Sequence, residues 1–310
     1  MPVISQAARL LFVAGILLVS GCIMPGTGIE IPFIPDFFGP DTKSYENDVI
    51  IIDSITAIPP EIAPGQRTKI LIYVKNRIAK EIKDVNVELF DYCQGSLKLA
   101  DSASQEQAID RLLGGEIREV SWDLEAEEGI KLVNTCTKDG VKVRAKYKFT
   151  TPSTTTISFI DEVEMQRRRE AGSFRNIQSN IVLGEGPLKP ILTVEDAQPV
   201  STGSKITVIA LQIENKGSGF VKDSKVPTSS IQFESKGFPS LASQMKACID
   251  KLEAKELKLI QRKTPKIPCK IDIPAEVAGK IESSDTISVT VADYDYEFRN
   301  NALVTVRPKL

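Results

Sequence analysis

VKVRAKYKF, residues 141–149, is the stretch that decides the fold class. Val141, Val143, Ala145, Tyr147 and Phe149 alternate with Lys142, Arg144, Lys146 and Lys148. A period of two sends successive side chains to opposite faces of an extended chain, so one face is apolar and the other basic. That is the pattern of an antiparallel strand with one buried and one solvated face. The pattern recurs in both directions along the chain. VIIIDSITAI begins at Val49 and ends at Pro59-Pro60. After a turn at Pro64-Gly65, TKILIYVKN places Thr68, Ile70, Ile72 and Val74 on one face. VNVELF turns Val85, Val87 and Leu89 inward, and EVSWDL does the same with Val120, Trp122 and Leu124. Many short strands separated by turn signals predict an all-β chain of antiparallel sandwiches. Two helices are expected as insertions. Ser104-Gln-Glu-Gln107 reads as a capping box that opens a helix through Ile109, Leu112 and Leu113, stopped by Gly114-Gly115. SLASQMKACIDKLEAK carries Leu241, Met245, Cys248, Ile249 and Leu252 at helical spacing, with Ser240 as the N-cap.

The two halves share a grammar. ILTVEDAQPVSTGSKITVIALQIENKGSG parallels IIIDSITAIPPEIAPGQRTKILIYVKN: strand, turn ending in glycine (Gly203, Gly65), strand, asparagine (Asn215, Asn76). ISVTVADYDYEF then parallels VKVRAKYKF. Self-similarity of this kind predicts two copies of one module. The expected organisation is a sandwich over 48–165, a linker over 166–188 and a second sandwich over 189–310. The linker opens on QRRREAGSFRN. Arg167, Arg168 and Arg169 either face solvent beside Glu162, Glu164 and Glu170 or meet an anionic lipid or surface polymer.

The N-terminus carries a different signal. LLFVAGILLVSGC, Leu10 to Cys22, follows Arg9 and is too short for a comfortable membrane span, but it suits the core of a signal peptide. Val19-Ser20-Gly21-Cys22 resembles the lipobox of prokaryotic lipoproteins. The resemblance implies cleavage before Cys22 and a diacylglyceryl group on its thiol; the alternative is an uncleaved N-terminal anchor. Either way residues 23–310 are expected on the extracytoplasmic face of a cell membrane. Residues 23–47, rich in Gly and Pro, read as a tether, and Phe33, Phe37 and Phe38 either touch the membrane interface or pack on the first sandwich.

Composition narrows the chemistry. The chain of 310 residues has a formal net charge of −2, so no global field favours nucleic acid. It has no histidine, which removes the usual general base near neutral pH and the commonest zinc ligand. No phosphate-binding loop, dinucleotide fingerprint or nucleophile elbow is present, and no cofactor is expected. Of the five cysteines, Cys93, Cys136, Cys248 and Cys269 fall two and two into the halves. An even number outside the membrane predicts the disulfides Cys93–Cys136 and Cys248–Cys269; four buried thiols are the alternative. The second bridge would pin a helix to a sheet. Asp293 and Asp295 are the weak metal candidates, a pair that a calcium ion would need to supplement. Their parity conflicts with that of Ile287, Val289 and Val291, so either a bulge occurs near Ala292 or the strand leaves the core there.

The strand that ends in Asn215-Lys216-Gly217 resembles CARDB-type and related Ig-like domains of prokaryotic surface proteins, archaeal lipoproteins foremost. The first copy departs, with Asn76-Arg77 lacking the glycine. The resemblance implies a spacer, adhesive or assembly module without catalysis, and it brings no active-site residues. The leading functional expectation is therefore a non-enzymatic, membrane-anchored surface protein displaying two modules to a protein or surface-polymer partner. The alternative is an accessory ligand- or polymer-binding subunit of a membrane transport or secretion complex. A carboxylate hydrolase is a third reading, to be recognised by two facing acids in a cleft, one with a raised pKa.

Overall fold

The computed structural model describes residues 46–100, 104–130, 134–135 and 140–307. Cys22, Cys136, the signal segment and the tether up to residue 45 lie outside the described residues. The first half contributes β1 (Ile50–Ile58), β2 (Glu61–Ile62), β3 (Arg67–Asn76), β4 (Ile82–Asp91), β5 (Leu97–Leu99), β6 (Glu106–Leu112), β7 (Ile117–Ala126), β8 (Asn134–Thr135) and β9 (Val141–Ile160). Next come α1 (Glu162–Glu170), β10 (Ile181–Leu183), β11 (Leu188–Val194), β12 (Val200–Ser201), β13 (Ile206–Asn215), β14 (Phe220–Val221) and β15 (Lys225–Pro227). The chain finishes with β16 (Ile231–Ser235), α2 (Pro239–Asp250), β17 (Glu256–Lys258), β18 (Ile267–Asp272), β19 (Glu282–Ala302) and β20 (Thr305–Val306). The class is all-β, built of antiparallel sheets, with two short parallel contacts, β2 with β20 and β12 with β9.

VKVRAKYKF is the first half of a strand twice the expected length. β9 runs for 20 residues and pairs antiparallel with the 21-residue β19 along its whole course, from Val141↔Ala302 to Ile160↔Glu282. These two strands are the spine. On one half, β4 and β6 continue the sheet beyond β9 and β14 continues it beyond β19; on the other, β10 and β12 pair β9 and β16 pairs β19. The odd-numbered residues of β9 are buried from Val141 to Phe159, so the same face points inward throughout. Two smaller sheets therefore lie over that face, β1-β3-β7-β5 at one end and β11-β13-β18 at the other. Trp122, Ile70 and Val87 in the first lobe and Leu211, Ile271 and Val289 in the second belong to one buried apolar cluster.

This pairing corrects the expectation of two self-contained sandwiches joined by a linker. The lobes share one sheet, and the described residues lie within a single compact unit. Alternation shows which face of a strand is buried but not which strand lies beside it, so the sharing left no trace in the pattern. Residues 166–188 are likewise structured: α1 covers the start, and β10 pairs with β9 at Ile181↔Thr155 to Leu183↔Ser153. Asp161 caps α1 by accepting hydrogen bonds from Val163 N and Glu164 N at 3.0 and 3.1 Å. Arg167 and Arg168 pair with Glu164, and Arg168 reaches Glu282 of β19 at 2.8 Å. Those ion pairs hold the Glu164 carboxyl down at about 2.

A second correction concerns residues 104–113. The capping-box pattern predicted a helix, but the segment is β6, paired with β4 at Val85↔Ile109 and Ile82↔Leu112. Ile109 and Leu112 are buried at a spacing a helix also permits, and the open edge of β4 captures the segment. The Ser104 carbonyl still accepts a hydrogen bond, from Trp122 Nε1 at 3.1 Å. Gly114 is required by space: a Cβ there would lie 2.2 Å from the Ala79 carbonyl oxygen. α2 forms where expected, burying Leu241, Met245 and Ile249, but Phe238 occupies the N-cap position with Pro239 at N1. Ser240 instead bonds Glu276 with its N–H and hydroxyl at 3.0 and 2.7 Å.

Candidate functional site

Where the strand parity conflicted, the structure has a bulge. Val291 pairs Thr151 and Tyr294 pairs Phe149, so β19 carries one extra residue there, and Asp293 adopts φ 50°. The bulge returns Tyr294, Tyr296 and Phe298 to the buried face and leaves Asp293 and Asp295 exposed. Asp293 accepts a 3.4 Å hydrogen bond from Thr150 Oγ1, whereas Asp295 faces Lys222 at 4.0 Å. The two carboxylates thus have different neighbours. Among the described residues no group of three or more His, Cys, Asp or Glu side chains is placed to hold a metal ion.

Cys248 on α2 and Cys269 on β18 form a disulfide with Cα atoms 5.9 Å apart, pinning the helix to the second lobe. Cys93 is disulfide-bonded; Cys136, its expected partner, is outside the described residues. No described helix is long and apolar enough to cross a membrane.

The repeated asparagines prove to be structural equivalents. Each ends a strand, β3 or β13, and each is buried. Asn76 Oδ1 accepts the Ile78 N–H and its Nδ2 donates to Lys80 O; Asn215 Oδ1 accepts the Gly217 N–H and its Nδ2 donates to Gly219 O. Both side chains therefore tie down the loop that follows by bonding two and four residues ahead. Asn215 goes further, accepting the Tyr296 hydroxyl at 3.1 Å. Asp48, just before β1, accepts the Ser218 N–H at 2.8 Å and the Ser218 hydroxyl at 2.6 Å. This buried knot joins the start of the first lobe to a loop of the second. Burial and the nearby Asp48 carboxylate push the Tyr296 phenol well above its ordinary pKa.

The outer face of the shared sheet is the candidate site. Lys142, Arg144, Lys146 and Lys148 emerge there from β9, Glu88 and Phe90 from β4, and Asp295, Glu297 and Arg299 from β19. Phe220 of β14 and the turn Lys222-Asp223-Ser224 raise a wall beside β19. They enclose a hollow of about 600 Å³. A second hollow of about 310 Å³, against Phe90, Lys142 and Asn301, adjoins it, and Arg299 lines both. Several of these charges are matched on the face itself. Arg144 grips Glu88 with Nε and Nη2 at 3.0 and 2.9 Å and lies 3.5 Å from Glu297. Lys146 shares Glu88, Arg299 pairs with Glu297, and Lys142 pairs with Asp91 at 3.2 Å. The Arg144 hydrogen bond holds the Glu88 carboxyl below the usual carboxylate range. Arg299 sits over the Phe90 ring at 5.4 Å and the Phe220 ring at 4.8 Å, and Arg144 over Phe90 at 4.9 Å.

The basic row was legible in residues 142–148. The trough itself was not, because β4, β9, β14 and β19 are distant in sequence and Phe220 belongs to no alternating run. No family model matches the chain, and no curated protein sequence matches it. A solved structure with some similarity, the collagen adhesin CNA from S. aureus, is 10% identical and aligns over 84% of this chain and 96% of its own. The TM-score is 0.15, which carries no argument about fold or function.

Proposed function

We propose that this chain is a non-enzymatic surface protein, anchored to a cell membrane through its N-terminal segment, that presents the outer face of its shared sheet for contact. The observation that carries this reading is the trough on that face. It is open, it lies on the sheet that both lobes share, and its Arg144, Lys146 and Arg299 are paired with Glu88 or Glu297. The Arg144 hydrogen bond holds the Glu88 carboxyl on this face below the usual carboxylate range, the opposite of the raised pKa a general acid needs. The Val19-Ser20-Gly21-Cys22 motif supports lipid anchoring, and the expected Ig-like, CARDB-type resemblance supports an adhesive or assembly role. The test is to express the full chain and Cys22→Ser in a lipoprotein-processing host. The expected wild type is membrane-bound, lacks Met1 to Gly21 and carries the mass of a diacylglyceryl group; the variant is released or left as precursor. Wild-type protein that is soluble and retains Met1 would refute the anchoring.

The size of the trough favours a second reading, an accessory subunit that captures a ligand or polymer for a membrane transport or secretion complex. Pull-down from native membranes separates the two. Co-purification of membrane transport components supports the accessory role, and recovery of the chain without them supports the free-standing surface protein.

A further inference from the structure

We infer that the trough binds a neutral, polyhydroxylated polymer, a glycan chain laid across β14, β19, β9 and β4. The inference deepens the proposed contact role and rests on it. Three observations bear on the ligand class. The first is shape: two adjoining hollows share Arg299, as befits a repeating chain with units on either side of one side chain. The second is the aromatic content. Phe220 is 46% exposed at the lip, and Phe90 lies across the trough with Arg299 stacked against both rings. The surface of Phe220 left open offers apolar contact to the C–H face of a sugar, while the Arg299 guanidinium over the rings offers fixed donors. The third is charge. Arg144, Lys146 and Arg299 are each paired with Glu88 or Glu297, so a polyanion would have to displace carboxylates already bonded at close range. A sugar hydroxyl needs no such exchange. It donates and accepts at once, matching a wall that alternates guanidinium and ammonium donors with carboxylate acceptors.

The lip supports the same conclusion. Asp223 and Ser224 both adopt left-handed backbone, φ 54° and 53°, next to exposed Phe220. Two consecutive non-glycine residues in that region cost energy and persist where their surroundings fix them. Here the Ser224 carbonyl accepts the Leu259 N–H at 2.8 Å, which holds the wall upright beside β19.

The experiment uses the full chain in detergent, passed over chitin, cellulose, mannan and amylose resins and, as the polyanion, dextran sulfate. The expected result is retention on at least one neutral resin that survives high salt, and a loss of about tenfold in affinity for Phe220→Ala and for Arg299→Ala. Unchanged thermal melts of both variants establish that folding is intact; if Arg299→Ala melts early, Phe220→Ala alone carries the comparison. Retention on dextran sulfate alone, abolished by salt, overturns the inference in favour of a polyanion site. Retention indifferent to Phe220→Ala overturns the location, and failure on every resin overturns the ligand class. Membrane fractionation of the same preparation keeps the two claims apart. Anchored protein that binds no glycan sinks this inference alone, whereas soluble protein retaining Met1 sinks the anchoring whatever it binds.

Discussion

Replacing Asp48 by alanine tests whether the two lobes are one body. Asp48 is 2% exposed, and its carboxylate accepts the Ser218 N–H and hydroxyl and, at 3.2 Å, the Tyr296 hydroxyl. A hydrogen bond to a charged acceptor is worth about 1.5–3 kcal/mol when its partner cannot be replaced. All three donors have a fallback. Ser218 is exposed, so water can reach it, and Tyr296 retains Asn215. The net cost of Asp48→Ala is then about 2–4 kcal/mol, a large part of the ~5–15 kcal/mol that holds a typical protein folded. The assay is urea unfolding of the full chain in detergent, followed by Trp122 fluorescence for the first lobe and by hydrogen exchange of β13 and β18 amides for the second. Because β9 and β19 run through both lobes, the two probes are expected to shift together to lower urea. If the β13 and β18 amides lose protection while Trp122 keeps its wild-type midpoint, the lobes unfold separately and the reasoning fails. A cost below about 0.5 kcal/mol, typical of an inert surface change, would show that the knot contributes nothing.

Further outcomes follow from the same structure. Removing the Cys248–Cys269 bridge, which spans a sequence separation of 21, is expected to cost about 3 kcal/mol by loop entropy, read as a lower urea midpoint of the double alanine variant. Glu88→Gln is expected to cost about 2 kcal/mol at neutral pH. The Glu88 pKa is lower in the folded chain, so its stabilisation is complete above the unfolded value of about 4.3 and is lost as pH falls through the folded value; the variant's stability profile should be flatter over that acid range. Asn76→Ala and Asn215→Ala are each expected to destabilise by about 2–3 kcal/mol in urea titrations, since each leaves buried loop groups unpaired. An effect from one and none from the other would contradict their structural equivalence.

The sequence announced individual strands far better than their assembly. The inward faces of TKILIYVKN, EVSWDL and VKVRAKYKF are buried as read, because a half-covered sheet imposes alternation directly. The bulge was legible too, as a clash between the parity of Val291 and that of Tyr294. β6 was misread because Ile109 and Leu112 lie three apart, a spacing that serves either a helix or a bent edge strand. The repeat of glycine turn, strand and asparagine was real at Asn76 and Asn215, yet it suggested independence where the lobes share strands. A local motif repeats without disclosing where its neighbours come from. The trough was least legible of all, since its wall and floor meet only after β14, β19, β9 and β4 have aligned.

The spine also dictates the order in which the molecule can be completed. β9 ends at Ile160, and its partner β19 does not begin until Glu282. Their paired residues are about 120–160 apart in the chain, separations that make pairing slow. A polypeptide emerging N-terminus first therefore exposes β9 with one edge open until nearly its last strand arrives. Neither lobe can close ahead of the other, so export across a membrane would deliver an unfinished chain that needs shielding until the C-terminal residues are through.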